Sequence, residues 1–391
     1  MSIPPIAILG AGPSGLLLAR LLHLHRIPHT VFERDAHRSD IGQGGTLDVH
    51  AETGQLALKK AGLLEAFKAK ARYDAQRMVI FNKEGEAALT LDGTDGEGRP
   101  EIDRRDLRGL LLDSVREESI VWGAKVAAVR RSPVDQSMEV ELVDGRVHRG
   151  FGLVVGADGT WTKARELVTK AKPVYSGYHY ITAMIPKTSP YHTKATSLVG
   201  AGGIMATGSR RQIAAQRMTD DSYSVAIGLA LPENWSRQTA NAELLKNTST
   251  FKDWAMTEKF SGWSTRVTDL IKNSEGACRA WPLYAMPVES LSWETVPGVA
   301  LIGDAAHVST PFAGEGVNCS LHDALQLAEQ IVKHGLDDLT SAVSEYEKFM
   351  FPRAIAMITE SQANGEMLFA EDAPRGFVEV FSAFANAEKQ G

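Results

Sequence analysis

The chain has 391 residues, which predicts two or three domains, or one large α/β body carrying an insertion. Hydrophobic residues make up 43% and charged residues 23%, an ordinary globular balance, and the net charge of −6 argues against nucleic acid as the main partner. No run approaches the ~18 apolar residues of a membrane span. The N-terminus has no basic leader region, and Cys278 and Cys319 show no metal-ligand spacing, so the expectation is a cytoplasmic chain without structural metal.

In chain order, an apolar run Ile3 to Leu9 ends in Gly10-Ala-Gly-Pro-Ser-Gly15, a leucine-rich helix follows over Leu16 to Arg26, and Pro28 breaks it. Thr30-Val-Phe-Glu33 reads as a second strand ending in an acid, close to the ~20-residue separation of the dinucleotide fingerprint. Gly10 makes the tight turn, Gly12 admits a pyrophosphate, and Gly15 lets helix and strand pack closely; Glu33 can accept both hydroxyls of a ribose. Gly42-Gln-Gly-Gly45, leading to Asp48 and His50, reads as backbone close to a ligand or as a surface turn. Ala51 to Lys70 reads as helix with an end at Gly62, and Tyr73 to Leu91 as strand and hairpin. Glu101 to Arg108 opens a helix running to about Glu117. Arg104 and Arg108 share its face, either to hold a phosphate or ring oxygen or to pair with Asp103 and Asp106.

Ser119 to Trp122, Lys125 to Arg130, Met138 to Val143 and Phe151 to Val155 read as strands, the last ending in Gly156-Ala-Asp-Gly159 and a helix that Thr160 or Thr162 caps. From Lys172 to about Trp293 the pattern changes to alternating strands: Tyr178 to Ile185, Ala195 to Val199, Gly203 to Ala206, Arg211 to Gln216 and Tyr223 to Leu229. A helical region, Asn241 to Phe260, follows, and Trp281 to Pro287 reads as a return strand. Val299 to Ile302 is a short buried strand with Asp304 at its end; Pro311, Gly314 and Gly316 break regular structure, and a helix runs on through Leu321, Ala324, Leu325, Ala328 and Ile331. The helix-opening amides favour negative charge, as on a reduced flavin, although a plain strand-to-helix connection has the same pattern. Ser341 to Ala370 is a long helix that Pro352 kinks or splits.

Three segments together resemble the group A flavin monooxygenases, with their p-hydroxybenzoate-hydroxylase-like fold: Gly10-x-Gly-x-x-Gly15 with Glu33, Gly156-Ala-Asp-Gly159, and Gly303-Asp304 with Pro311-Phe-Ala-Gly-Glu-Gly316. Gly44-Gly-Thr-Leu-Asp-Val-His50, Lys59-Lys-Ala-Gly-Leu-Leu64 and Gly303-Asp-Ala-Ala-His307 are most similar to the tetracycline-degrading monooxygenases. The resemblance implies a mixed α/β fold: a Rossmann-like FAD-binding domain (1–171 and 294–340, with 72–100 lending part of the substrate side), an inserted antiparallel substrate domain (172–293), and a C-terminal bridging helix and tail (341–391). It implies FAD contacts at Gly10, Gly12, Gly15, Glu33, Arg34, Asp48, Arg104, Arg108, Asp158, Asp304, Pro311, Ala313, Gly314, Gly316, Val317 and Asn318, with Arg108 near the pyrophosphate and Asp304 near the ribityl chain.

The implied cycle takes hydride from NADPH or NADH, forms a flavin C4a-hydroperoxide with O2, and inserts one oxygen into an organic substrate. No side chain is assigned as a catalytic acid or base. The implied substrate positions are Thr182, Met184, Met205, Ala226 and Phe312, between the flavin loop and the inserted sheet, which points to an apolar aromatic or polycyclic molecule; both methionines also suit plain core packing. Two departures matter. Where the tetracycline enzymes carry glutamine, arginine and histidine, this chain has Thr182, Gly203 and Ala226, so tetracycline is not expected as the natural substrate. Ile41 replaces an arginine linked to NADPH, with Arg38 nearby, so the choice of NADPH or NADH stays open. The expected protein is a monomer with no nucleic-acid or membrane partner. Rival readings are another FAD oxidoreductase, a reductase or a halogenase (whose WxWxIP motif is missing), and a non-catalytic dinucleotide-binding redox sensor.

Overall fold

The computed structural model describes residues 5–40, 44–92 and 98–388. The chain divides into two compact units, Met1–Ala71 with Arg104–Val174 and Tyr284–Thr359, and Arg72–Asp103 with Tyr175–Leu283 and Glu360–Gly391. Most of the expected pieces appear: a parallel sheet, an inserted sheet that is nearly all antiparallel, and a long helix Leu339–Leu368.

The first unit is built on a five-stranded parallel sheet in the order Val299–Leu301, Leu153–Gly156, Ile6–Leu9, His29–Phe32, Ile120–Val121. The three middle-to-edge strands Ile6–Leu9, Leu153–Gly156 and Val299–Leu301 are buried along their whole length. This is why they are continuous apolar runs rather than alternating ones: both faces of a parallel sheet are covered. Each of these three strands ends at one of the three motifs, so register alone aligns Leu9, Gly156 and Leu301 across the sheet. A separate antiparallel sheet, Val126–Arg131, Met138–Leu142 and Val147–Phe151, belongs to the same unit.

The second unit holds a seven-stranded sheet in the order Glu275–Ala285, Val174–Ile185, Tyr223–Ala230, Arg211–Arg217, Gly203–Gly208, Met78–Phe81, Ala87–Leu91. All described pairings are antiparallel except Gly203–Gly208 with Met78–Phe81, which is parallel. Ile181, Ala183, Ile185, Ile204, Ile213, Val225, Ile227 and Leu229 face one way, into a core with Phe251, Phe260, Val267, Leu270 and Ile271 from the helices.

Several expectations are corrected. Ala195 to Val199 is not a strand but part of the helix His192–Val199: Ala195 and Val199, four apart, are its buried face, and Gly200 with φ +72° ends it. The helical stretch Ala51 to Lys70 breaks at Gly62 as expected, with φ +72° there, but its first part opens as the wider turn Ala51–Gln55 before Leu56–Lys60, and its second is only Leu64–Lys68. Glu101–Asp103 is a strand, so the helix begins only at Arg104 and ends at Asp113. The turn after Asp158 leads to a single tight turn, Ala164–Leu167, not a full helix. Leu339–Leu368 is one helix with Pro352 inside it, so Pro352 does not split it. Ile41, Gly42 and Gln43 lie outside the described residues.

Candidate functional site

At the end of Ile6–Leu9 the glycine turn divides its labour. A Cβ on Gly10, which sits at φ +100°, would fall 2.7 Å from the Ala157 carbonyl oxygen, and one on Gly15 would fall 2.1 Å from the Gly10 carbonyl oxygen. Both glycines are required by the protein's own packing. Gly12 is different: its Cβ would meet nothing closer than 3.9 Å, and no side chain caps the helix Pro13–Leu24 that it opens. The space and the bare helix start are what an approaching phosphate needs.

Glu33 is buried at the end of its strand. Its carboxylate accepts the Ala11 N–H at 2.6 Å and the Asp35 N–H at 2.9 Å, which fixes it beneath the glycine turn. Arg108 donates from Nε to the Ala11 carbonyl at 2.9 Å and pairs with Asp35 at 2.9 Å, with Glu33 3.8 Å away. Arg108 therefore joins the turn to the acid strand, in partnership with Asp35 rather than with Asp103 or Asp106. Arg34 is exposed, and Arg38 is exposed and paired with Asp113. Arg104 is exposed too; its stem lies over Gly44, where a Cβ would come within 2.8 Å of its Cδ.

Asp48 lies on the strand Thr46–Asp48, and a Cβ on Gly314 would sit 3.6 Å from its carboxylate. Pro311–Ala313 forms one tight turn, Gly314 takes φ +71°, and the 19-residue helix Gly316–His334 starts without a side-chain cap. Among the described residues, nothing lies within 4 Å of a Cβ placed on Gly316. Asn318 is fully buried; its side chain accepts the His50 N–H at 2.8 Å and donates to the Asp48 carbonyl at 3.1 Å. The loop and the Asp48 strand are thus tied by hydrogen bonds far apart in sequence.

Asp158 and Asp304 are both exposed at strand ends. Two residues that sequence reasoning left without a role set their backbones. Arg165 is buried and spends its guanidinium on carbonyls: Thr160 at 2.7 Å, Ala305 at 3.0 Å and Asp304 at 3.1 Å. Asp323, wholly buried, accepts the Gly303 N–H at 2.7 Å, His307 at 2.6 Å and Arg353 at 2.5 Å. Burial pushes its carboxyl up, but His307, Arg353 and the Gly303 amide more than reverse this and hold it below the ordinary range. The visible signal was an acid beside the apolar face Leu321, Ala324 and Leu325, where an unpaired carboxylate would not survive.

In the second unit, Thr182, Met184, Met205 and Ala226 lie on the sheet face opposite the core and are half-buried. Register sets Thr182, Ala226, Ala214 and Met205 side by side across four strands. Met184 and Met205 are therefore not core residues. Thr182 Oγ1 accepts a long bond from the indole of Trp281 at 3.4 Å. Phe369 stacks on Tyr178 on this face. Phe312 belongs to the first unit and is half-buried in its loop.

Residues 4–337 match the model of the FAD binding domain family. Monooxygenase asqM of Emericella nidulans is 29% identical, over 97% of this chain and 98% of its own. Monooxygenase penA of Penicillium thymicola is 30% identical, over 89% of this chain and 91% of its own. The solved tetracycline destructase Tet(55) superposes with a TM-score of 0.72 at 17% identity, covering 95% of this chain and 91% of that one, a likeness of fold. No helix among the described residues is long and apolar enough to cross a membrane.

Proposed function

The chain belongs to the FAD binding domain family and is a FAD-dependent monooxygenase, and from that premise we propose that it uses NADPH or NADH and O2 to oxygenate an electron-rich aromatic or polycyclic molecule. The chemistry the cofactor supplies is hydride acceptance followed by transfer of one oxygen atom of O2, the other leaving as water. What the chain contributes is placement. FAD fits the residues present: Gly12 leaves room beside an uncapped helix start, and the second uncapped start, at Gly316, opens beside the Asp48 carboxylate and an empty space.

In this reading Glu33 holds the adenosine ribose, Arg108 and the amides after Gly12 face the pyrophosphate, and Arg34, Arg104 and Asp48 line the cofactor. Asp158 and Asp304 face the hydroxyls between nucleotide and ring. The loop Pro311, Ala313 and Gly314 lies along the flavin, and the amides of Gly316, Val317 and Asn318 steady negative charge on it. The proton stays on no catalytic side chain, and the protein works by orienting and excluding water.

The observation that carries the substrate reading is the half-buried row Thr182, Ala226, Ala214 and Met205, with Met184 beside it. Small and apolar groups there favour a flat ring over a polyol, and an oxygen-transferring flavin favours a ring rich in electrons. The same row supplies no strong polar partner of the kind that selects tetracycline. The test is the visible spectrum of the purified protein. Bound flavin should bleach under NADPH or NADH in the absence of air, and faster with a hydroxylated or aminated aromatic present; a flavin that neither coenzyme reduces would contradict the coenzyme reading.

A further inference from the structure

His50 is 4% exposed, and both of its ring nitrogens face carboxylates: Nε2 lies 2.8 Å from Asp48 and Nδ1 lies 3.0 Å from Glu315. A neutral imidazole has one N–H and one lone pair, so it can satisfy only one carboxylate. Both contacts are satisfied only by the imidazolium. The two carboxylates come from segments more than two hundred residues apart in sequence, the strand Thr46–Asp48 and the residue that precedes the helix Gly316–His334. The backbone repeats the link, because the His50 N–H donates to Asn318 and Asn318 donates to the Asp48 carbonyl. Gly314, the turning point of the loop, lies directly beside Asp48.

We propose that His50 is a positioning residue whose cationic ring clasps Asp48 to Glu315 and so holds the loop Pro311–Gly316 and the start of its helix in the shape that binds the flavin. This rests on the family's cofactor being held at that loop. If the ring loses its proton, one carboxylate loses its donor and two negative groups face each other across a buried ring, which drives the strand and loop apart.

The charged groups that face the ring are Asp48, at the end of the strand just before His50, and Glu315 from the loop; from the helix, the neutral Asn318 meets the His50 backbone N–H. Burial lowers the affinity of the ring for its proton, but the hydrogen bonds and charges of Asp48 and Glu315 outweigh this and raise its pKa to about 9. The sign follows from a folded value above the unfolded one. The clasp contributes fully below the ordinary histidine pKa of about 6.5, weakens above it, and is lost as pH rises through about 9.

The experiment is a pH titration of the purified holoenzyme from about pH 7 to about pH 10, reading flavin released into ultrafiltrate by its fluorescence, with melting of the flavin-free chain followed in parallel. In the unsubstituted protein flavin dissociation should rise about tenfold, centred near the raised histidine value. Glu315→Gln removes one of the two partners and should move that midpoint down by about one pH unit. His50→Lys keeps a cation to higher pH and should move it up. Flavin retention that is flat with pH, or unmoved by Glu315→Gln, would overturn the clasp while flavin bound at neutral pH leaves the cofactor reading intact. Melting that shifts with pH while flavin release does not would equally overturn a positioning role. A chain that takes up no FAD at neutral pH would overturn the cofactor reading itself, and the clasp with it.

Discussion

The strand-end edge of the first unit, at the glycine turn, and the face of the seven-stranded sheet that points away from its core in the second are built differently. The first is crowded with fixed polar groups: Glu33 and Arg165 each make several hydrogen bonds to backbone, Arg108 holds the Ala11 carbonyl and the Asp35 side chain, Asp323 holds the Gly303 amide, His307 and Arg353, and two glycines have no room for a Cβ. The second offers threonine, alanine and methionine in a register row with its backbone bonds made within the sheet, while the polar groups beside that row, Tyr180 and the buried Gln212 and Thr207, bond to one another or to the Leu368 carbonyl. Under the proposed function, the first edge holds FAD through fixed polar groups and the second face takes its substrate by shape, a preference that a few side-chain changes would shift.

The comparison can be broken first at the glycines. Gly15→Ala places a methyl group 2.1 Å from a carbonyl oxygen, and should give no stably folded holoprotein. Gly12→Ala, where the nearest atom is 3.9 Å away, should leave the melting temperature of the flavin-free chain nearly unchanged yet weaken flavin binding about tenfold or more. Equal effects at the two positions would remove the ligand from the explanation.

Next comes the buried acid. Asp323→Asn leaves Arg353 without its counter-charge and His307 without its carboxylate partner, and should lower stability by about 3 kcal/mol in urea unfolding. Since the folded pKa of Asp323 is held below its ordinary value, its contribution is present above about pH 4 and fades as pH falls further. The gap between the two proteins should therefore narrow in acid, and a gap that widens would be contrary to this assignment.

The two faces of the second sheet give the subtler contrast. Ile213→Ala empties a fully buried position and should cost about 2–4 kcal/mol of stability. Met184→Ala, on the half-buried face, should cost less than about 1 kcal/mol and instead raise KM for the aromatic substrate. A Met184 variant as unstable as the Ile213 variant would return that residue to the core.

Much of this was legible in the sequence because the decisive signals are local. The strand ending in Gly10-x-Gly-x-x-Gly15, the acid at Glu33 and the breaks at Pro311 and Gly314 are each short patterns with one backbone solution. The antiparallel sheet was legible from alternation, except where His192–Val199 presents too few residues to separate a two-residue from a 3.6-residue period. What could not be read were partnerships between distant positions. Nothing near Asp323 in sequence announces Gly303, His307 and Arg353 together, and nothing near His50 announces Glu315. Arg165 follows the Gly156-Ala-Asp-Gly159 motif closely, but its role depends on carbonyls at Asp304 and Ala305 that only the parallel sheet brings alongside.

The most direct test of the account is the fate of labelled O2 in a reaction of the holoenzyme with NADPH or NADH and a panel of hydroxylated and aminated aromatics, with tetracycline alongside. At least one aromatic should give a product that carries a single labelled oxygen atom, and tetracycline should give none. Peroxide as the sole product with every aromatic, together with a labelled tetracycline product, would contradict it.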